Sequence, residues 1–468
     1  MKIAFCASEA YPFVKTGGLA DVCHALPAAL KKLGIEVSLF LPFYQDIDKD
    51  KFSLTKAGPG IYRSRFEENV DVYFIEQKAF FNRPGLYGDG QRDYADNLER
   101  FQYFSSRTLE ALKELKLTVD VIHGHDWHAA LIPVYLKEKL RNDAFYAKTK
   151  SVLTIHNLAY QGIFPKEKYP KLGLRPELFG MKHFEFFGQI NLLKAGLVFA
   201  DLVTTVSPRY AGEIQTKEFG SGLDGVLRSL PKKPIGILNG ISQARWDPAA
   251  DSLIHQTYSA SDYLQGKKEN KLALQRAFGL PENENIPLFG FVARLTQQKG
   301  VDLILAAAAQ LEKKNIQIVL QGVGEKKYYE LLRNLAKRYP QKAGVHLDFN
   351  EQMAHQIYAG SDFFLIPSAF EPCGLSQMIS MRYGTIPIGF KTGGLADTII
   401  PFDVDSRGNG FLFKEYTTED FLKTIQNAIE VYKKKQKLRG LIENAFRSDF
   451  SWDASAQKYA EVYNSLCL

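Results

Sequence analysis

The chain has 468 residues, 45% of them hydrophobic and 24% charged, and a formal net charge of +7. That length exceeds one ordinary core and asks for two or three domains, while the balance of apolar and charged residues excludes a disordered or fibrous chain. Cations are interspersed with acids, so no basic block marks a nucleic-acid binder, and the longest apolar stretches, such as Leu303 to Leu311, fall short of the ~20 residues that span a bilayer.

The first apolar run, Lys2 to Ala7, reads as a strand. It leads to Lys15-Thr16-Gly17-Gly18-Leu19-Ala20-Asp21 and a helix over Asp21 to Leu33. Paired glycines let a backbone turn and approach a ligand closely, and the lysine adds a cation suited to phosphate. Strands follow at Glu36 to Leu41, Val119 to His123, Ser151 to Ile155 and Leu202 to Val206, with helical stretches such as Leu131 to Leu140 between them. This alternation implies a parallel sheet covered on both faces, with ligands at the carboxyl ends of its strands. A polar stretch near Gly240 to Asp247 reads as a linker. The pattern restarts after Pro287 with a strand (Leu288 to Ala293), a helix (Val301 to Leu311) and strands at Ile316 to Gln321, Phe363 to Pro367 and Thr385 to Phe390; a final helix covers Ala454 to Leu466. The fold class expected is α/β, with two Rossmann-like domains over residues 1–240 and 241–450. The helix in 451–468 would pack back on the first domain.

The heptapeptide at Lys15 recurs letter for letter at Lys391 to Asp397, again after a strand-like run. Ala293 to Gly300 places Arg294 at a strand end and Lys299 in the following loop, two cations able to neutralise a diphosphate leaving group without a metal. Glu371-Pro372-Cys373-Gly374-Leu375 sits between a strand and a helical stretch, Ser376 to Arg382, whose start offers free N–H groups to a phosphate. Its glutamate reads equally as a sugar ligand or a turn residue, and Cys373 as a packing residue. His156 ends a strand and opens a polar, aromatic loop, Asn157 to Gly162, in active-site territory.

His123, His125, Asp126 and His128 superficially resemble a metal site, but a strand ending near His123 would make the four side chains diverge around a turn; Asp126 is the candidate among them. The acid pairs Asp46/Asp48 and Asp403/Asp405 read as solvated loop, and Gly220 to Gly225 as either a mobile loop or a connector. Tyr87, Tyr94, Tyr103 and Phe104 could stack on sugar rings, though core packing is the commoner role. The four cysteines, Cys6, Cys23, Cys373 and Cys467, have neither metal-ligand spacing nor disulfide density. No small-residue cleavage site precedes Lys15, so no signal peptide is expected and the compartment reads as cytoplasmic.

Together these motifs resemble the bacterial glycogen synthases, of one family with the plant starch synthases. The resemblance spans the chain: KTGGLADV at Lys15, HDWHAAL at His125, HNLAYQGIF at His156, FFGQINLLKAG at Phe186, TTVSPRYAGEI at Thr204, GSGLDGVL at Gly220, NGI at Asn239, ARLTQQKG at Ala293, EPCGL at Glu371 and KTGGLADT at Lys391. It implies the glycosyltransferase B fold, its two domains facing across a cleft, and retaining transfer of glucose from ADP-glucose to the non-reducing end of an α-1,4-glucan. The resemblance assigns Lys15, Gly17, Gly18 and Asp21 to the donor, Arg294 and Lys299 to its diphosphate, and Glu371, Cys373, Gly374 and Leu375 to sugar and phosphate. Asp126, His156 and Asn239 fall around the transferred glucose, and Thr392 and Gly393 support the diphosphate or merely turn the chain. No cofactor, metal, nucleic acid or membrane partner is implied. Ser242 stands where the family commonly has aspartate, Ala293 where it commonly has serine, and Ile379 where related retaining transferases often carry a second glutamate. Two rival readings are a UDP-glucose enzyme making a small glycoside and a noncatalytic glucan-binding protein on the same scaffold.

Overall fold

A computed structural model describes residues 1–468 apart from 91, 312–313, 403–406 and 468, and apart from the side chains of 309–311. The acid pair Asp403/Asp405 therefore lies outside the described residues. The chain forms two compact units, Met1–Gly240 with Trp452–Leu468, and Ile241–Ser451.

In the first unit the strands are β1 (Lys2–Cys6), β2 (Glu36–Pro42), β3 (Thr55–Gly58), β4 (Ile61–Phe66), β5 (Val70–Ile75), β6 (Val121–His125), β7 (Lys150–Ile155), β8 (Ile163–Pro165), β9 (Glu185–Phe186), β10 (Gln189–Asn191), β11 (Leu202–Thr205) and β12 (Ile235–Gly236). Nine make one sheet, ordered β12-β11-β7-β6-β1-β2-β5-β4-β3, and β8-β10-β9 make a small separate one. The sheet is parallel from β12 to β5 and antiparallel across β5, β4 and β3. This hairpin edge was not foreseen in the alternating pattern. The central strands are buried along their length because helices cover both faces; Ile3 to Cys6 and Val121 to His125 are all buried.

The second unit has β13 (Leu288–Val292), β14 (Gln317–Gln321), β15 (Ala343–His346), β16 (Phe363–Ile366), β17 (Ile386–Phe390) and β18 (Phe411–Phe413). They form an all-parallel sheet in the order β15-β14-β13-β16-β17-β18. In each unit strand order reverses at one place, between β1 and β6 and between β13 and β16. Loops leaving such a pair on opposite faces open a crevice at the carboxyl edge.

Two boundaries differ from expectation with consequences. β6 runs on to His125, so His123 and His125 are two apart on one buried strand and share a face, their rings 4.2 Å apart, rather than diverging around a turn. The first glycine pair itself opens the helix Gly18–Lys32, a turn earlier than the apolar periodicity suggests, and the second opens a helix too, Gly393–Thr398. The helix Trp452–Cys467 belongs to the first unit; it packs on Gly18–Lys32, and the hydroxyl of Tyr463 lies 2.8 Å from His123 Nδ1. Among the described residues no helix is long and apolar enough to cross a membrane.

Candidate functional site

In the first unit the loop after β1 carries Glu9 and Lys15. Lys15 Nζ bonds both carboxylate oxygens of Asp21, at 2.7 and 2.8 Å, which fixes the ammonium beside the start of helix Gly18–Lys32. Beneath the loop, buried Glu9 accepts the Thr16 amide and, at 2.9 Å, the Thr16 hydroxyl. Burial lifts the Glu9 pKa, opposed by bonds from Thr16 and Gly17 and by nearby Lys15. The sequence reading passed over Glu9; its signal was a carboxylate directly behind a strand of continuous apolar residues.

Gly17 has an extended backbone, φ −156°, and a Cβ there would meet only Glu9 Oε1, at 4.0 Å. The space over Gly17 is therefore open. In the second copy it is filled: a Cβ on Gly393, at φ +41°, would stand 2.0 Å from the Glu371 carbonyl oxygen, and one on Gly394 1.9 Å from that of Cys373. The Gly394 amide donates to the Glu371 carbonyl at 3.0 Å, and Thr392 is buried. These glycines let one loop pack on the backbone of another. Gly394→Ala should cost about 1–3 kcal/mol in urea unfolding, whereas Gly17→Ala should keep wild-type stability and weaken donor binding; equal stability losses would contradict the distinction.

The loop after β6 begins at Asp126, whose φ of +55° is costly for a non-glycine residue. That turn brings Asp126 Oδ1 to the backbone amide of His156, 2.7 Å away at the end of β7. Burial pushes the Asp126 carboxyl up to about 7, against hydrogen bonds from the His156 and Asn157 amides and with a further push from Glu9. His156 is half-buried, its Nε2 lies 2.9 Å from His125 Nδ1, and burial pushes its pKa down to about 3. Asn239 is buried, with an Oδ1 that has no hydrogen-bond partner among the described residues. Gln161 ties the His156 loop to the Gly220 to Gly225 segment through the Ser221 carbonyl at 3.0 Å, so that segment braces its neighbour. Asp48 is exposed and caps its own turn, accepting the Asp50 and Lys51 amides. No three His, Cys, Asp or Glu side chains gather as a metal site among the described residues.

In the second unit the loops after β13 and β16 meet at the reversal of strand order. Lys299 Nζ bonds Glu371 Oε2 at 2.5 Å, Gln298 Nε2 donates to the Phe370 carbonyl at 3.1 Å, and the Ala369 amide donates to the Gln298 carbonyl at 2.8 Å. Gly300 makes this possible: at φ +74° its missing Cβ would lie 1.9 Å from the Pro367 carbonyl oxygen. Arg294 is exposed; its carbonyl accepts the Thr296 amide at 2.9 Å. Cys373 is buried, Gly374 has φ +72°, and Leu375 immediately precedes the helix Ser376–Arg382 without a side-chain cap. Gln377 Nε2 holds this turn through the Cys373 and Gly374 carbonyls, at 2.9 and 3.1 Å. Phe349, 83% exposed just beyond β15, presents an aromatic face near the same carboxyl edge; a lone aromatic in a polar loop was its only signal.

Two doubly wound units with charged and glycine-rich loops at their strand-order reversals define a glycosyltransferase of the B fold. Residues 2–229 match the family described as starch synthase catalytic domain, and 275–447 glycosyl transferases group 1. The chain is 44% identical to glycogen synthases from Geotalea daltonii, over 99% of this chain and 98% of that protein, and from Bacillus cereus, over 100% of both. Its structure resembles the catalytic domain of starch synthase IV from Arabidopsis thaliana bound to ADP and acarbose, with TM-score 0.91, 34% identity and 99% of each chain covered. A sucrose-phosphate synthase from Thermosynechococcus elongatus, 17% identical with TM-score 0.61 over 99% of this chain and 98% of that one, shares the fold. The chain belongs to the glycogen and starch synthase family and is a glycosyltransferase of glycogen synthesis.

Proposed function

We propose that the chain transfers glucose from ADP-glucose to the non-reducing end of an α-1,4-glucan with retention of configuration. Full-length similarity to glycogen synthases carries this reading, and ADP and acarbose in the related starch synthase support the donor and the glucan. Lys15, Arg294 and Lys299 meet the diphosphate and offset charge on the departing ADP, while Asp21 and Glu371 orient Lys15 and Lys299. Backbone groups of Gly17, Gly18, Gly374 and Leu375 lie close to phosphate. Cys373 shapes that turn, and Thr392 and Gly393 support it from below. Asp126, His156 and Asn239 surround the sugar, and Phe349 offers a stacking face to the base. Bond cleavage to the diphosphate leads displacement on the same face, so charge offset at the leaving group is the main task of the site.

The test is incubation of the purified protein with glycogen and labelled ADP-glucose or UDP-glucose. Elongation with ADP-glucose is expected; elongation only with UDP-glucose would refute the donor. Folded protein that releases no ADP with both substrates present would favour a noncatalytic binder. Activity is expected to persist in chelator, since the cations occupy the role of a divalent ion; loss restored by magnesium would contradict this.

A further inference from the structure

His125 has no role in the transfer as described above, yet it is the side chain that touches the ring of His156. It is fully buried, its Nδ1 lies 2.9 Å from His156 Nε2, and its own Nε2 has no hydrogen-bond partner among the described residues. The rings of Phe5 and His123 flank it, at 4.8 and 4.2 Å between centroids. His123 is held at both nitrogens, Nδ1 by the Tyr463 hydroxyl at 2.8 Å and Nε2 by Thr154 Oγ1 at 2.6 Å, which in turn lies 2.6 Å from Thr204 Oγ1. His125 is thus packed against a ring that cannot rotate without breaking buried hydrogen bonds.

Burial keeps His123, His125 and His156 neutral, so each ring carries a single N–H. Of the two nitrogens facing one another between His125 and His156, one donates and one accepts. Were His156 Nε2–H the donor, the proton of His125 would sit on its Nε2, a buried N–H with no acceptor. Orphaned N–H groups are the rarer kind of unpaired polar atom in folded interiors. With His125 Nδ1–H as donor, the unpaired atom is a bare ring nitrogen against aromatic neighbours, and the proton of His156 must reside on Nδ1.

We propose that His125 is a positioning residue for His156: it caps Nε2, holds the ring's proton on Nδ1, and leaves Nδ1–H as the one ring donor His156 can offer the transferred sugar. This rests on the reading that His156 faces that sugar. It also excludes proton transfer through His156 Nε2, because that atom is occupied. The half-buried ring then contributes a fixed neutral donor whose orientation is set from within the first unit.

The test combines spectroscopy with kinetics on the full chain. In protein labelled with 15N-histidine, two-bond 15N–1H spectra are expected to show His156 protonated on Nδ1, its signals identified with a His156→Gln variant. His125→Phe keeps a ring in the buried slot and removes the donor. It should release the Nδ1 preference of His156 and lower kcat roughly tenfold or more with little change in donor KM. His125→Asn, whose amide N–H can stand near the position of Nδ1–H, should recover most of the rate. A wild-type spectrum with the proton on Nε2, or full kcat in His125→Phe, would overturn the proposal. If His125→Phe does not fold, the wild-type spectrum and the Asn variant still decide. Full activity in His156→Gln would instead refute the placement of His156 at the sugar, leaving the tautomer result intact.

Discussion

Lys15→Ala is expected to lower turnover about a hundredfold, the scale of losing one preorganised charge donor, while Lys391→Ala should stay within about twofold, as exposed substitutions usually do. The two lysines head identical heptapeptides, and in the sequence only the family resemblance and the helix expected behind Gly18 separate them. The difference lies in what occupies the space beside each glycine pair. At the first, Asp21 holds Lys15 through both oxygens, the 15-residue helix Gly18–Lys32 begins immediately behind it, and the nearest atom to an added Cβ on Gly17 is 4.0 Å away. A phosphate approaching there finds a fixed cation and unpaired helix N–H groups. At the second, the corresponding volume holds the Glu371 to Cys373 backbone, within 2.0 Å of where a Cβ would stand. Lys391 is exposed, and its amide is spent on the Phe413 carbonyl. Initial rates with saturating glycogen and varied ADP-glucose, for both variants with matched thermal stability, make the comparison. Equal losses would mean that the second copy also touches the donor.

The same pair of motifs marks how far the sequence could be read. Strand–loop–helix alternation was legible because both faces of each central strand are covered, which leaves uninterrupted apolar runs such as Ile3 to Cys6 and Phe363 to Ile366. The hairpin β3–β4 and the small sheet β8-β10-β9 were not, because their strands are short and half-exposed, and turn dipeptides such as Pro59-Gly60 and Phe187-Gly188 carry no apolar run on either side long enough to mark a strand. Lys299 and Glu371 could each be named from their motifs. Their direct pairing depends on β13 and β16 being neighbours, which is a property of strand order and invisible to local spacing. His125 was lost for a similar reason. Ending the strand two residues early turned a pair of rings packed on one face into a divergent turn, and with it went the link to His156.

The buried histidines should also make the first unit acid-labile. Burial holds His123, His125 and His128 well below the ordinary histidine value and His156 down at about 3. For a base whose folded pKa is depressed, stability is complete above the unfolded value of ~6.5 and is lost as pH falls below it, because the unfolded chain takes up the proton first. Asp126, raised to about 7, and Glu9, raised as well, have the opposite sign. Asp126 keeps a proton that the unfolded chain gives up above ~4, so its contribution grows on acidification, and the Glu9 contribution runs in the same direction. Four protons favour unfolding and that of Asp126 opposes it. At about 1.4 kcal/mol per proton per pH unit, the net slope approaches about 4 kcal/mol per unit below pH 6.5. Against a total of roughly 5–15 kcal/mol, two pH units consume much of the first unit's stability. Urea unfolding at pH 7.5, 6.5 and 5.5, followed by the fluorescence of Trp127 and Trp452 in that unit, measures the slope. His128→Phe isolates one of the four. Its ring stacks on Tyr87 at 4.7 Å and meets Phe101 edge-on at 4.6 Å, so phenylalanine keeps the packing and removes the titration. The slope should then fall by one proton, about 1.4 kcal/mol per unit. A wild-type stability that is flat from pH 7.5 to 5.5, or a slope unaltered in His128→Phe, would show that these rings are protonated in the folded chain and that burial does not hold them neutral.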